Sequence, residues 1–106
     1  MSERRSPAVE KKINEINDSD MRVKVVGTII SIDDSIPMII VDDGSGIANV
    51  VVDEIKFEIG KQVRVIGRII NTEPIEIRAE AVQDFSKVDR ETYEKYLNVI
   101  EKALKS

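Results

Sequence analysis

The chain has 106 residues with 42% hydrophobic and 34% charged residues, a formal net charge of −4, and neither cysteine nor histidine. This predicts one globular domain and excludes disulfides, thiol chemistry, zinc sites built on Cys or His, and imidazole-based catalysis. No apolar run approaches the ~20 residues of a transmembrane helix and the N-terminus lacks a signal-peptide core, so we expect an intracellular, cytoplasmic protein.

The first predicted element is an N-terminal arm over residues 1–20, which is polar and mixed in charge. Ser6 followed by Pro7 is a typical helix-start signal, so a short helix over about 8–16 is one interpretation. A flexible arm draped over the domain is the other.

From residue 21 to 86 the pattern predicts a small β-barrel, because Ile and Val dominate and short turn-like segments separate the apolar runs. The five predicted strands are RVKVVGTIISI (22–32), IPMIIVD (36–42), GIANVVV (46–52), QVRVIGRII (62–70) and IEIRAEAVQDF (75–85). The segment 53–60 fits either an alternating strand or a short helical turn or loop.

Two of these strands share an internal repeat. VKVVGTII (23–30) and VRVIGRII (63–70) match at most positions, and each carries a glycine in its interior. A glycine in mid-strand marks a bulge or a sharp bend, as strands that curve around a small barrel require. Chance similarity of two Ile/Val-rich strands is the alternative.

The last predicted element is a helix over 87–106, capped at its start by Asp89. At ~100° per residue, one apolar seam is formed by Tyr93, Leu97, Ile100 and Leu104. A second seam beside it is formed by Tyr96, Val99 and Ala103. An apolar arc of roughly 160° exceeds what one contact surface needs, so the helix packs deeply on its own domain or meets a helix of another chain.

The turn Asp43-Gly44-Ser45-Gly46 is the most conspicuous motif, and it does not fit a metal or phosphate site. Aligning Gly44 with the sixth position of an EF-hand loop places Val50 at the twelfth, where a bidentate Glu is needed. Neither this turn nor the glycine of the fourth strand has the spacing of a nucleotide-binding loop. Adjacent carboxylates in turns stay solvated, so we expect no metal, no cofactor and no enzyme activity.

A basic stripe is the candidate nucleic-acid site. Arg22 and Lys24 on the first strand share outward parity with Arg64 and Arg68 on the fourth, if the intervening valines face inward. Single-strand binders add aromatic side chains on which bases stack, and the first four strands have none. Glu76 and Glu80 on the fifth strand would neutralise the stripe, so a salt-bridged, solvated face is the stronger interpretation.

Taken in order, the segments VVGTI, MIIVDDGSG, VRVIGRI and VDRETYEKYLNVI resemble the smallest subunit of replication protein A in an archaeal form. High Glu, Lys and Arg content without cysteine is also typical of thermophiles. The resemblance implies a mainly β fold, a five-stranded OB-fold barrel with a C-terminal α-helix. Val50, Val51 and Val52 depart from the family pattern, since many DNA-binding OB domains carry an aromatic there.

The resemblance also implies a function. The chain would be a non-catalytic assembly subunit of a replication protein A-like single-stranded-DNA-binding complex, in DNA replication, repair and recombination. Its helix would bind larger OB-fold subunits, while DNA contact would be weak or indirect and the isolated chain could self-associate. The partner-binding residues expected on this basis are Tyr93, Tyr96, Leu97, Ile100 and Leu104.

Two other hypotheses stay open. The chain could be a stand-alone single-strand binder that uses the basic stripe, with strong salt dependence. It could also be an OB adaptor of another genome-maintenance or telomere-like complex, which only the identity of its partner would distinguish.

Overall fold

The computed structural model of the protein describes residues 7–85, which form one closed β-barrel with an N-terminal segment packed against it. Within these residues the strands are β1 (Val9–Glu10), β2 (Arg22–Asp33), β3 (Met38–Asp42), β4 (Ile47–Val51), β5 (Gln62–Thr72) and β6 (Ile75–Asp84), with a 3₁₀ helix at Ile13–Glu15. The predicted C-terminal helix over 87–106 lies outside the described residues.

The five long strands close in the order β2–β3–β4–β6–β5, and β5 pairs back onto β2. All these pairings are antiparallel except that of β4 with β6, which is parallel. The architecture is that of an OB-fold barrel, as the sequence predicted, and each long strand falls close to its predicted range. The segment between β4 and β5, left open by the sequence, contains no strand or helix.

The repeated segments are partners in the barrel. Val23 pairs with Gly67, Val25 with Val65, and Gly27 with Val63, so each glycine faces the first valine of the other repeat. Gly67 lies where the β5–β6 register shifts, which confirms a bulge there. Gly27 instead lies where β2 passes close to β3, because a Cβ atom on it would be 2.6 Å from the Asp42 carbonyl oxygen.

The core follows from strand alternation. The inward valines of β2 and β5 are fully buried, as are Ile29, Val41, Val50 and Ile77. Two further core residues come from the arm: Ile13 and Ile16 are only 2% and 8% exposed and belong to the same cluster. The described part of the arm, residues 7–20, therefore contributes to the apolar interior.

Backbone pairing joins the described part of the arm, residues 7–20, to the barrel, and a charged contact links two residues within it. β1 pairs in parallel with β2, and the pairing continues from the Lys11 amide to the Lys24 carbonyl oxygen at 3.1 Å. The Lys11 ammonium lies 2.8 Å from the Asp20 carboxylate. This hydrogen bond lowers the pKa of Asp20, so the stability it contributes is present above the ordinary carboxyl pKa and is lost as the pH falls through the lowered one.

The Asp-Gly-Ser-Gly turn holds the arm in place. One carboxylate oxygen of Asp43 accepts hydrogen bonds from the Ser45 amide (2.8 Å) and the Gly46 amide (3.1 Å). Its other oxygen accepts one from the Ile13 amide at 2.8 Å, and the Ser45 hydroxyl accepts one from the Asn14 amide at 3.1 Å. The turn is thus a structural latch for the 3₁₀ helix that carries Ile13.

We expect Asp43→Ala to destabilise the protein by about 2 kcal/mol, because partly buried amide donors lose a charged acceptor. Urea unfolding measures the loss, and hydrogen exchange at the Ile13 amide should accelerate. The control is Asp34→Ala, which removes an exposed carboxylate in the β2–β3 turn and should leave stability within about 0.5 kcal/mol. Equal effects of the two changes would contradict the latch.

Candidate nucleic-acid interface

OB barrels bind oligonucleotides on the outer face of their second and third barrel strands, which here are β3 and β4. We call this surface, with the adjoining half of β2 and the edge of β6, the groove face. Its outward side chains form three cross-strand rows: Thr28–Asp42–Ile47, Ser31–Ile40–Asn49–Glu76 and Asp33–Met38–Val51–Arg78. None of these side chains is aromatic.

The charge of the groove face opposes nucleic acid. From Val25 to Ile55 the sequence contains six carboxylates and neither Lys nor Arg. The cation in the three rows is Arg78, and its guanidinium lies 3.4 Å from the Asp53 carboxylate. Single-strand binders need a positive groove and stacking rings, and this face has neither.

The predicted basic stripe lies elsewhere, on the outer side of β2 and β5, which we call the basic face. Val23, Val25, Val63 and Val65 are fully buried, which confirms the predicted parity. The structure brings Arg22 directly opposite Arg68, whereas Lys24 is opposite Ile66 and Arg64 opposite Val26. The four predicted residues therefore share one surface, away from the usual OB ligand face.

Part of the basic face is already occupied by intramolecular contacts. Arg22 donates from Nε to Glu80 at 3.0 Å. Arg64 donates to the Gln83 amide oxygen at 2.8 Å and lies over the Phe85 ring, 5.6 Å from its centroid. Within residues 7–85, no carboxylate forms an ion pair with Lys24 or Arg68, so these two cations remain for an external anion.

Arg78 is the functional candidate that the sequence reasoning missed. It lies directly opposite Arg68 on one side and opposite Val51 on the other, so it joins the basic face to the groove face. Its outward parity could have been inferred, because it stands between Glu76 and Glu80, both of which were expected to face outward.

We expect the isolated chain to bind oligo-dT with a Kd of about 100 µM or weaker at 0.1 M salt, since the surface formed by residues 7–85 has few cations outside ion pairs and no aromatic stacking platform beside them. Fluorescence anisotropy measures this. Arg68→Glu should abolish the residual binding seen at low salt, whereas Lys56→Glu, the same charge change in an exposed loop, should not. Low-micromolar binding at 0.1 M salt would contradict this view.

A further concavity, with a volume of about 190 Å³, lies between β6 and the segment that follows β4. Apolar side chains such as Ile29, Ile39 and Phe57 line it, and Asp53, Glu54 and Lys56 also contribute to its wall.

Within residues 7–85, no group of three or more His, Cys, Asp or Glu side chains could hold a metal ion. In the same range, no helix is long and apolar enough to cross a membrane.

The predicted partner-binding residues, Tyr93, Tyr96, Leu97, Ile100 and Leu104, all lie outside the described part of the chain. Their role stays a prediction. The aromatic residues within the described range are Phe57, which packs against the core, and Phe85, which is 9% exposed. Neither offers a free ring on the groove face.

Comparison with known proteins gives structural likeness without sequence likeness. No protein-family model and no curated protein sequence matches the chain. The telomere capping protein Ten1 from S. pombe superposes with a TM-score of 0.74 at 16% identity, over 91% of this chain and 99% of Ten1. A chain of the S. pombe Stn1–Ten1 complex matches with a TM-score of 0.75 at 16% identity, over 92% of this chain and 94% of that one. At 16% identity, the structural likeness establishes only the fold, a small OB barrel. The superposition covers nearly the whole length of both chains.

Proposed function

We propose that this chain is a non-catalytic OB-fold subunit of a multi-subunit complex that maintains single-stranded DNA, and that it acts mainly as an adaptor. The observation that carries the proposal is the groove face, which has the position of an OB ligand site but neither aromatic rings nor an unpaired cation. A barrel of this kind contributes to DNA binding through its partners more than through its own surface.

The structural neighbours support an adaptor in preference to a stand-alone binder. Ten1, which spans nearly the same length, is a telomere capping protein and is also known in complex with Stn1. By analogy, this chain would bind a larger OB-fold partner. These neighbours support the alternative, an OB adaptor of another genome-maintenance or telomere-like complex, better than a replication protein A-like subunit. A replication protein A-like complex in replication, repair and recombination has only the sequence resemblance in its support.

Assembly is assigned to the C-terminal segment, through the predicted seam of Tyr93, Leu97, Ile100 and Leu104 together with Tyr96. A helix with two adjacent apolar seams has more apolar surface than a small barrel needs. Burial of such side chains between chains is worth roughly 1.5–3 kcal/mol for each large residue, which is enough to hold subunits together.

The test is affinity purification of the tagged full chain from its native cells, followed by mass spectrometry. We expect stoichiometric recovery of a larger OB-fold protein that binds single-stranded DNA. Recovery of the chain alone, or only as a self-associated species, would overturn the adaptor function. The identity of the recovered protein decides between a replication protein A-like complex and a telomere-like one.

A stand-alone single-strand binder is the second candidate, and one observation favours it. Lys24 and Arg68 have no ion-pair partner within residues 7–85, so they could contact phosphates. The oligo-dT titration described above separates the two functions.

A further inference from the structure

Large apolar side chains are exposed on and beside the groove face. Ile47 is 55% exposed on β4, opposite the last residue of β3, and Ile30 is 44% exposed at the bulge of β2. Ile36 is 57% exposed in the β2–β3 turn, at the other end of β3. Met38, Ile40 and Val51 are half-buried in the same three rows. Met38 lies directly opposite Val51, and Ile40 is diagonal to Ile47 on the neighbouring strand. We call these apolar side chains the patch, and apolar side chains clustered inside a polar rim are typical of a protein-binding surface.

The rim of this patch is acidic. Asp42 lies in the first row, Glu76 ends the second on the β6 side, and Asp33 begins the third. The third row ends at Arg78, whose guanidinium lies 3.4 Å from the Asp53 carboxylate. The hydroxyl and amide of Ser35 donate to Asp33 and lower the pKa of its carboxyl, which favours the charged form. A polyanion would be repelled here, whereas a cationic ligand would find complementary charge.

The centre of the patch also offers hydrogen bonds. Asn49 lies between Ile40 on β3 and Glu76 on β6, and its side-chain amide forms no hydrogen bond with another residue of the described range. A primary amide both donates and accepts, so it can bind a peptide group of an incoming chain. Lysine and arginine flanking apolar side chains would then match the acidic rim and the isoleucines.

We propose that the groove face binds a polypeptide segment in which apolar side chains are flanked by Lys or Arg, in the place where other OB barrels bind nucleic acid. The inference goes beyond the proposed function, because it uses only described residues of the barrel and does not depend on the C-terminal segment. It gives the chain a second contact surface, on a face different from the basic one.

The test uses the ¹⁵N-labelled full chain and two synthetic probes, Ac-KVKIKVK-amide and its acidic counterpart Ac-EVEIEVE-amide. We expect the lysine peptide to shift amide resonances of residues 28–51 and the acidic peptide to shift none. Ile47→Lys should weaken binding at least tenfold. Ile59→Lys, the same substitution at a side chain 63% exposed in the β4–β5 segment, should leave affinity unchanged.

Three outcomes would overturn the proposal. Shifts spread over all acidic segments would indicate unspecific charge attraction, and equal effects of the two Lys variants would indicate the same. Shifts of residues 28–51 by oligo-dT instead of the peptide would make this face a nucleic-acid site. Because the assay needs no partner subunit, its failure is independent of failure of the adaptor function.

Discussion

Gly67→Ala is expected to destabilise the barrel by about 3 kcal/mol or more, a large part of the roughly 5–15 kcal/mol of a typical domain. A Cβ atom on Gly67 would collide with the Arg78 carbonyl oxygen and approach the Ile77 Cγ2 atom to 2.8 Å. Both neighbours belong to β6, and one is backbone, so the strand pair itself has to move.

The measurement is thermal unfolding by circular dichroism, where a loss of this size lowers the Tm by about 15 °C. The matched control is Gly46→Ala. A Cβ atom there would have its nearest neighbour, the Ile13 Cγ2 atom, at 3.4 Å, so we expect a change within about 1 kcal/mol. Gly67→Ala with a Tm equal to that of the unchanged protein would contradict the close approach of β5 and β6.

The two glycines of the internal repeat, Gly27 and Gly67, show what the sequence could predict. The repeated glycines predicted a bulge or bend at each position, and the bulge is confirmed at Gly67. The register shift of β2 lies between Ile29 and Ser31 and not at Gly27. The sequence could not assign different causes to the two glycines. Gly27 lies where β2 passes β3 and Gly67 lies at a bulge, and only the pairing of strands distant in sequence separates these cases.

For the candidate interface, the sequence predicted which side of the strands the four cations face, but not which side chains they contact. Alternation correctly placed the four cations of the stripe on one surface. Both glutamates of the last strand were expected to neutralise that surface, yet only Glu80 reaches Arg22, while Glu76 pairs toward Asn49. A bulge shifts alternation by one residue, and its position depends on tertiary packing.

The hydrogen bond between the Ile13 amide and Asp43 could not be predicted from the sequence, for a different reason. The turn was recognisable as Asp-Gly-Ser-Gly, but its partner is the Ile13 amide, 30 residues away along the chain. A backbone amide carries no sequence signal, so nothing in the polar arm indicated that Asp43 would bind it. Consequently the arm was predicted either as a short helix or as a loose segment, and the packing of Ile13 and Ile16 was missed.

The two faces suggest how one small barrel could serve a complex. The basic face keeps two cations without ion pairs in the described range, Lys24 and Arg68, which suit a passing phosphate backbone. The groove face is apolar and acidic, which suits a polypeptide. The two surfaces adjoin along β2 and at Arg78, so a subunit with both would contact protein and DNA side by side.

The sharpest test of assembly is Leu97→Glu, which is expected to reduce recovery of the partner subunit at least a hundredfold. Leu97 occupies the middle of the predicted seam, and a carboxylate buried between chains would cost several kcal/mol. The control is Asn98→Glu, one residue further along the chain and on the opposite, polar side of the predicted helix, where recovery should be unchanged.

The measurement is co-purification of tagged variants from native cells, quantified against the full chain. Thermal unfolding of both variants is the folding control: lost recovery reports assembly when Leu97→Glu keeps the Tm of the unchanged protein, and a lowered Tm would instead indicate that the segment stabilises its own domain. If Leu97→Glu recovers the partner as well as Asn98→Glu does, the seam is not the contact. The subunit would then be held through the barrel, for which the groove face is the candidate surface.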